Sequence, residues 1–247
     1  MTCQAIICDW NGTLFQDFDE EGIARALISD IVKSFLPWHP LRVMRLLGTK
    51  RELEALNTQK TRDLGSDWIM ELFRTYSERI IKNIPMSLVR HSVSKYAKRP
   101  EVQEKVLRSV LRPVCECHKA GIITGILSAG YEYGIQKILQ AAGYVDCFDF
   151  FEANRLMESD GKATVFSLNI YKNKAEVLVR LLKERNLEAK QVVYMGDSID
   201  DAGCFELVGY PIVSFLTADA LKKRFALEHK AFIPKDEADL TSYIQSI

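Results

Sequence analysis

Four short segments place acidic, hydroxyl and amino side chains directly next to apolar runs. Asp9 and Asn11 follow the run AIIC, Ser128 ends the run GIITGIL, Lys174 opens the pattern KAEVLVRLL, and the segment GDSIDD follows QVVYM. In open parallel sheets, ligands bind outside the carboxyl ends of the strands. We therefore expect these side chains to lie together at one edge of a sheet.

The segment GDSIDD adds three carboxylates, including Asp197 and Asp201, to the one supplied by Asp9. Carboxylates that converge at a strand end repel one another unless a cation joins them. Hard oxygen ligands of this kind suit Mg²⁺. The sequence therefore predicts a magnesium site, with Mg²⁺ as the cofactor.

The same groups meet the requirements of phosphoryl transfer. Asp9 can attack phosphorus, and Lys174 together with Mg²⁺ can neutralise the charge that develops. The Ser128 hydroxyl and the backbone N–H groups of Ala129 and Gly130 can bind phosphoryl oxygens. A small phosphorylated metabolite is the partner that this chemistry predicts.

Composition excludes several other classes of function. The 247 residues carry 33 basic and 33 acidic side chains, so no global field favours nucleic acid or an anionic membrane. No apolar run approaches the ~18 residues of a membrane span, and the N-terminal segment lacks the pattern of a secretory leader. We expect a cytoplasmic protein. Its six scattered cysteines predict reduced, structural thiols, with the pair Cys115 and Cys117 left open; the oligomeric state also stays open.

The order of apolar patterns predicts an α/β fold. Residues 4–8 form a short buried-strand pattern, and the following hundred residues show apolar positions at helical spacing. From residue 121 onward, strand and helix patterns alternate, which favours a doubly wound parallel sheet. We predict an α/β core from residues 1–16 and 121–247, with a helical cap, residues 17–120, inserted after the first strand.

The motifs resemble those of a known family. DWNGT, the serine of LSAG, the lysine of NKAEVL and GDSIDD, in this order, are similar to the four motifs of the haloacid dehalogenase superfamily. Within that superfamily the chain is most similar to the phosphoserine phosphatase-like members, which also carry a helical cap after the first motif. The resemblance implies a Rossmann-like core and a hydrolase that forms a phosphoaspartyl intermediate.

The resemblance also implies roles for individual residues. Asp9 is the nucleophile, and Asp9, Asp197 and the backbone carbonyl of Asn11 bind Mg²⁺, with Asp201 counted in the metal site and Asp200 beside it. Ser128, Ala129, Gly130 and Lys174 bind the phosphoryl group.

Asn11 departs from the family pattern. Family phosphatases usually have aspartate there, and it protonates the leaving oxygen and then activates water. A side-chain amide cannot cycle a proton at neutral pH. Metal binding is retained, because that role belongs to the backbone carbonyl. We therefore predict an altered rate or substrate rather than an inactive site, and we keep Asn11 with Asp9 as the catalytic pair.

Other interpretations stay open. Asn-Gly is a common turn dipeptide, Ser128 taken alone favours a strand-end cap, and Lys172 competes with Lys174. A non-catalytic or very slow phospholigand-binding protein is the main alternative function. A dehalogenase that uses Asp9 on carbon is weaker, because that chemistry leaves the GDSIDD carboxylates without a role.

Overall fold

The fold was analysed in a computed structural model that describes residues 3–35, 44, 46, 48, 75–167, 170 and 173–247. The helices predicted from the patterns LRVMRLL and DWIMELFR fall largely outside these residues, and so does Lys172. The described helices are α1 (Asp19–Phe35), α2 (Met86–Ala97), α3 (Pro100–Gln103), α4 (Arg108–Lys119), α5 (Glu132–Ala142), α6 (Lys174–Glu184), α7 (Ala202–Leu207), α8 (Asp219–Glu228) and α9 (Glu237–Ser246), with a π-helical turn at Tyr76–Ile81.

The strands form a parallel sheet and a separate hairpin. They are β1 (Ala5–Cys8), β2 (Ile123–Tyr131), β3 (Phe150–Asn154), β4 (Leu156–Ser159), β5 (Lys162–Phe166), β6 (Val192–Gly196) and β7 (Tyr210–Val213). The sheet has the order β3-β2-β1-β6-β7, and every neighbouring pair is parallel. The predicted fold class, a doubly wound α/β sheet with helices inserted after the first strand, is confirmed.

The central position of β1 explains its uninterrupted apolar sequence. All four of its residues are fully buried. Ile6 and Cys8 pack into the hydrophobic cluster shared with the inserted helices, whereas Ala5 and Ile7 pack into the cluster formed with α6, α7 and α8. Because successive strand residues face opposite sides, a sheet covered on both faces needs apolar residues at every position.

The chain leaves and re-enters the core at one crossing. The Gln16 N–H donates to the Lys105 carbonyl at 2.8 Å, and the Leu107 N–H donates to the Leu14 carbonyl at 2.9 Å. The next helix, α4, packs against β2 and α9. The domain boundary at residue 120 stays a prediction, and these contacts favour an earlier return near Val106.

The hairpin β4–β5 was not predicted. Its signal is the Asp160–Gly161 dipeptide, whose φ angles of 50° and 72° are those of a two-residue type I′ turn. The hairpin binds the inserted region through backbone hydrogen bonds. Asn83 N–H donates to the Ala163 carbonyl at 2.8 Å, and Ala163 N–H donates to the Ile84 carbonyl at 2.9 Å. Residues 83 and 84 of the inserted region are therefore hydrogen-bonded to the hairpin.

No helix among the described residues is both long enough and apolar enough to cross a membrane.

Two cysteines correct the expectation of reduced thiols. Cys115, on α4, forms a disulfide with Cys147, which lies just before β3. The sequence analysis left a pairing of Cys115 with Cys117 open, but residues two positions apart on a helix point in different directions. The described free cysteines are Cys3, Cys8, Cys117 and Cys204. The disulfide links the helix that enters the core to the edge strand.

Removing this disulfide should destabilise the protein. The bridge spans 32 residues, and a loop of that size contributes roughly 2–4 kcal/mol by restricting the unfolded chain. We expect Cys115→Ser combined with Cys147→Ser to lower the free energy of unfolding in urea by that amount. Cys117→Ser is the matched control. A thiol titration of the unfolded wild-type chain that finds six free thiols would contradict the disulfide.

Candidate active site

The chemically active side chains meet at the carboxyl edge of the sheet. Asp9 follows β1, Asp197 follows the neighbouring strand β6, and Ser128 lies near the end of β2. Lys174 is the first residue of α6. Parallel pairing brings these strand ends together, since Cys8 is in register with both Ile126 and Met195. The predicted juxtaposition at one sheet edge therefore follows from the strand order.

A buried lysine lies at the centre of the site. The Lys174 Nζ atom is 3.0 Å from Oδ1 of Asp9 and 2.5 Å from Oδ1 of Asp201. Lys174, Asp9 and Asp201 are 7%, 6% and 0% exposed. Burial by itself lowers the pKa of Lys174, but the carboxylates of Asp201 and Asp9 outweigh it and raise the pKa above its usual value. Lys174 is thus a fixed positive charge beside the Asp9 carboxylate.

Asp201 holds this part of the site in place. Its Oδ1 atom accepts from Lys174 and from the Tyr194 hydroxyl at 2.7 Å. Its Oδ2 atom accepts from the backbone N–H groups of Asp197 and Ser198, both at 3.0 Å. Although burial alone would raise it, the charge of Lys174 and these hydrogen bonds hold the pKa of Asp201 below its usual value. Both of its oxygens already accept hydrogen bonds, which favours a positioning role.

The other two carboxylates are less well compensated. Burial, partly offset by the Lys174 charge, raises the pKa of Asp9 to about 6. Burial and the negative charges of Asp9 and Asp201 raise the pKa of Asp197 to about 8. Raised values mean that the folded site lacks positive charge when both groups are ionised.

The site can accept a divalent cation. One carboxylate oxygen from each of Asp9, Asp197 and Asp201 lies within 4.8 Å of the others. Oxygen ligands are those preferred by Mg²⁺, and a cation would supply the positive charge that Asp9 and Asp197 lack. The donor set therefore fits Mg²⁺. Asp9 and Asp197 are better suited to bind it than Asp201, whose predicted place among the metal ligands stays a prediction, as does that of the Asn11 carbonyl.

The loop after β1 packs closely on Asp197. A Cβ atom at Gly12 would overlap the Asp197 carboxylate, and Gly12 has a φ of +73°. The Ser214 hydroxyl donates to the Gly12 carbonyl at 2.5 Å, and the Thr217 hydroxyl donates to the Asp197 carbonyl at 3.2 Å. Sequence reasoning missed Ser214 and Thr217, because a hydroxyl after β7 carries no motif.

Asn11 is bound to the start of the inserted region. Its Nδ2 group donates to both carboxylate oxygens of Glu20, at 2.9 and 3.0 Å. Its Oδ1 atom accepts from the Asp19 backbone N–H at 3.4 Å. Burial and the adjacent Glu20 carboxylate raise the pKa of Asp19 well above its usual value. The amide of Asn11 therefore connects the catalytic loop to the first turn of α1.

The predicted phosphate-binding segment has its own supports. Ser128 is buried, and its Oγ atom accepts from the Gly130 N–H at 3.1 Å. The fully buried Asn154, at the end of β3, donates to the Ala129 carbonyl at 2.6 Å. A Cβ atom at Gly130 would lie 2.8 Å from Glu20 Oε1. The segment therefore lies next to Glu20, while its phosphate-binding role stays a prediction. Asn154 and Tyr194 were also missed; a polar atom within a buried strand was their signal.

Replacing Gly12 should disrupt the site more than the fold. An alanine there adds backbone strain of roughly 1–2 kcal/mol and displaces the Asp197 carboxylate. We expect Gly12→Ala to lower catalytic efficiency by about 10²-fold, because a displacement of reacting groups by ~1 Å can reduce the rate by that factor. Gly143→Ala is the matched control, because Gly143 has a similar φ of +81° with open space around it. Equal activities of the two variants would contradict the close packing on Asp197.

The metal-free protein should lose stability as pH rises. The folded-state pKa values of Asp9 and Asp197, about 6 and about 8, exceed their usual value of 3.8. Between the usual value and the raised values, the folded state therefore binds more protons than the unfolded state. The free energy of unfolding consequently falls from about pH 4 to about pH 8. Urea titrations in chelator should show this slope. Asp197→Asn should flatten its upper part, and an unchanged slope would contradict the assignment.

The chain matches a curated relative over part of its length. It is 24% identical to the phosphoserine phosphatase of Methanocaldococcus jannaschii over 148 residues, which is 59% of this chain. The matched region spans 64% of that relative.

Solved structures share the fold over nearly the whole chain. A substrate-bound phosphoserine phosphatase complex has a TM-score of 0.64 at 19% identity and covers 99% of each chain. Cytosolic 5'-nucleotidase IIIB bound to cytidine also has a TM-score of 0.64, at 17% identity, covering 98% of this chain and 86% of its own. The family description "haloacid dehalogenase-like hydrolase" matches residues 6–206, a range that includes Asp9, Lys174 and Asp197. The chain therefore belongs to the haloacid dehalogenase-like hydrolase family.

Proposed function

We propose that the protein is a Mg²⁺-dependent phosphatase that hydrolyses a small phosphomonoester through a phosphoaspartyl intermediate on Asp9. The observation that carries this proposal is the contact of 3.0 Å between the buried Lys174 ammonium and the Asp9 carboxylate. A carboxylate fixed beside a permanent positive charge at a strand end can attack phosphorus while the charge of the phosphoryl group is neutralised. The phosphoserine phosphatase relatives support the reaction class.

The proposal also assigns roles to the remaining residues. Asp9 and Asp197, with the Asn11 backbone carbonyl, would bind Mg²⁺. Bound there, the ion would supply the positive charge that these carboxylates lack. Ser128 and the backbone near Gly130 would bind phosphoryl oxygens, and Lys174 would neutralise their charge. Neither nucleic acid nor a membrane is part of the proposal.

Loss of the Asp9 carboxylate should abolish turnover. We expect Asp9→Asn to lower Mg²⁺-dependent hydrolysis of 4-nitrophenyl phosphate by about 10⁴-fold or more, as removal of a nucleophile does elsewhere. Asp219→Asn is the control, since the Asp219 side chain is 93% exposed at the start of α8. Near-normal activity of Asp9→Asn would overturn the mechanism.

The same assay separates the other candidate functions. A phospholigand-binding protein would bind phosphate without turnover, and a dehalogenase would act on haloacids without metal. A panel of phosphorylated metabolites would then identify the substrate class, since the cap residues that contact substrate carry no motif.

A cytoplasmic location is a further part of the proposal. The Cys115–Cys147 disulfide argues against this location, because disulfides are uncommon in a reducing cytosol. Fractionation combined with the redox state of these two cysteines tests the location directly.

A further inference from the structure

We propose that Asn154 is a positioning residue for phosphate binding, because its side chain fixes the peptide unit that orients the Ser128 hydroxyl. Asn154 ends β3, the strand next to β2. The inference rests on the proposed phosphatase function and adds to it the residue that shapes the phosphate site. It is carried by an interruption in the pairing of β2 with β3.

The pairing of β2 with β3 is interrupted where the predicted phosphate-binding segment begins. Ser128 pairs with Ala153, whereas the next paired residue of β2 is Tyr131, which pairs with Asn154. Two residues of β2 therefore lie between positions that are adjacent in β3. Bulges of this kind remove backbone groups from the ladder and are frequent beside active sites. The backbone groups of the bulge consequently need partners other than the β3 backbone.

The Asn154 side chain supplies a partner for this bulge. Its Nδ2 group donates to the Ala129 carbonyl at 2.6 Å, and its Oδ1 atom accepts from the Ile170 N–H at 3.5 Å. A carbonyl only accepts and a backbone N–H only donates, so both contacts require the same orientation of the amide. Asn154 is fully buried, and an unpaired carbonyl in such surroundings is costly. The amide therefore holds the Ala129 carbonyl in one direction.

A single peptide unit transmits this constraint to Ser128. The Ala129 carbonyl and the Gly130 N–H belong to one planar, trans peptide unit, so they point in opposite directions. With the carbonyl bound to Asn154, the N–H donates to Ser128 Oγ at 3.1 Å. A hydroxyl that accepts through a lone pair keeps its own proton for donation. The buried Ser128 hydroxyl is thereby oriented to donate to a phosphoryl oxygen.

Loss of the Asn154 amide should weaken phosphate binding. Asn154→Leu leaves the Ala129 carbonyl unpaired, so the peptide unit can rotate and move the Gly130 N–H away from Ser128. We expect calorimetric titration with inorganic phosphate, in the presence of Mg²⁺, to give a dissociation constant about tenfold above that of the wild type, as expected for a lost hydrogen bond to a charged group. An unchanged dissociation constant in the folded variant would overturn the inference.

Thr124→Val is the matched control. Thr124 is fully buried in β2, and its hydroxyl donates to the Cys147 carbonyl at 2.6 Å, the same distance as in the Asn154 contact. It lies near the start of β2, at the opposite edge of the sheet from Asp9. We expect Thr124→Val to lower the melting temperature as Asn154→Leu does but to leave phosphate binding unchanged. Equal weakening of phosphate binding by both variants would attribute the effect to lost stability and overturn the inference.

A double-mutant cycle with Ser128→Ala distinguishes positioning from general packing. If Asn154 acts through the Ser128 hydroxyl, its replacement has little further effect once that hydroxyl is removed. In the Ser128→Ala background we expect Asn154→Leu to raise the dissociation constant for phosphate by less than about twofold. A further rise of about tenfold would show that the two residues act independently, and it would overturn the inference.

A second variant covers the case in which Asn154→Leu does not fold. Asn154→Ala removes the same donor without adding volume, and it should raise the dissociation constant for phosphate in the same way. An unchanged constant in Asn154→Ala would overturn the inference equally.

The outcomes also separate this inference from the proposed function. Absence of both phosphate binding and Asp9-dependent hydrolysis in the wild type would overturn the phosphatase proposal, and the inference on Asn154 with it. Asp9-dependent hydrolysis together with phosphate binding that does not respond to Asn154→Leu would overturn the inference on Asn154 alone.

Discussion

The structure of the site depends on the burial of one positive charge among several negative ones. Lys174 lies between Asp9 and Asp201 with little access to solvent. A buried charge is tolerated only when it is paired and hydrogen-bonded, and Asp201 meets this requirement on both of its oxygens. The first residue of α6, the end of β6 and the end of β1 are consequently fixed relative to one another. Asp9 and Asp197 are left short of positive charge, and that deficit is what makes the site suited to a cation.

The first turn of α1, where the inserted region begins, is hydrogen-bonded to the loop that carries Asp9. Glu20 lies in the first turn of α1, where acidic side chains are favoured by the helix dipole, and it accepts hydrogen bonds from the catalytic loop. It also lies beside Gly130 in the predicted phosphate-binding segment. Farther along the chain, residues 83–86 are hydrogen-bonded to the β4–β5 hairpin. The inserted region therefore contacts the loop after β1 through side chains and the β4–β5 hairpin through backbone hydrogen bonds.

Asn11 shows how a family motif and its chemistry can be separated. The family resemblance implies an aspartate at this position that would act once through its backbone carbonyl and once through its side chain. Asparagine retains the backbone carbonyl and loses the titratable proton. Membership of the haloacid dehalogenase-like hydrolases therefore does not specify the complete reaction. The hydrogen bonds from Asn11 to Glu20 add a contact that the motif gives no reason to expect.

The sequence by itself determined the parallel sheet, the inserted helices and the four segments that supply the site. These features are encoded locally, because a strand buried on both faces must be apolar and the residue that ends it marks the sheet edge. Other features depend on contacts between distant segments and only the tertiary structure decided them. The disulfide pairs Cys115 with Cys147 because α4 packs against the turn that precedes β3, and Asp201 accepts from Lys174 because α6 begins beside the turn that follows β6. Spacing along the chain carries no information on such pairs, since their partners are set by how helices pack on the completed sheet.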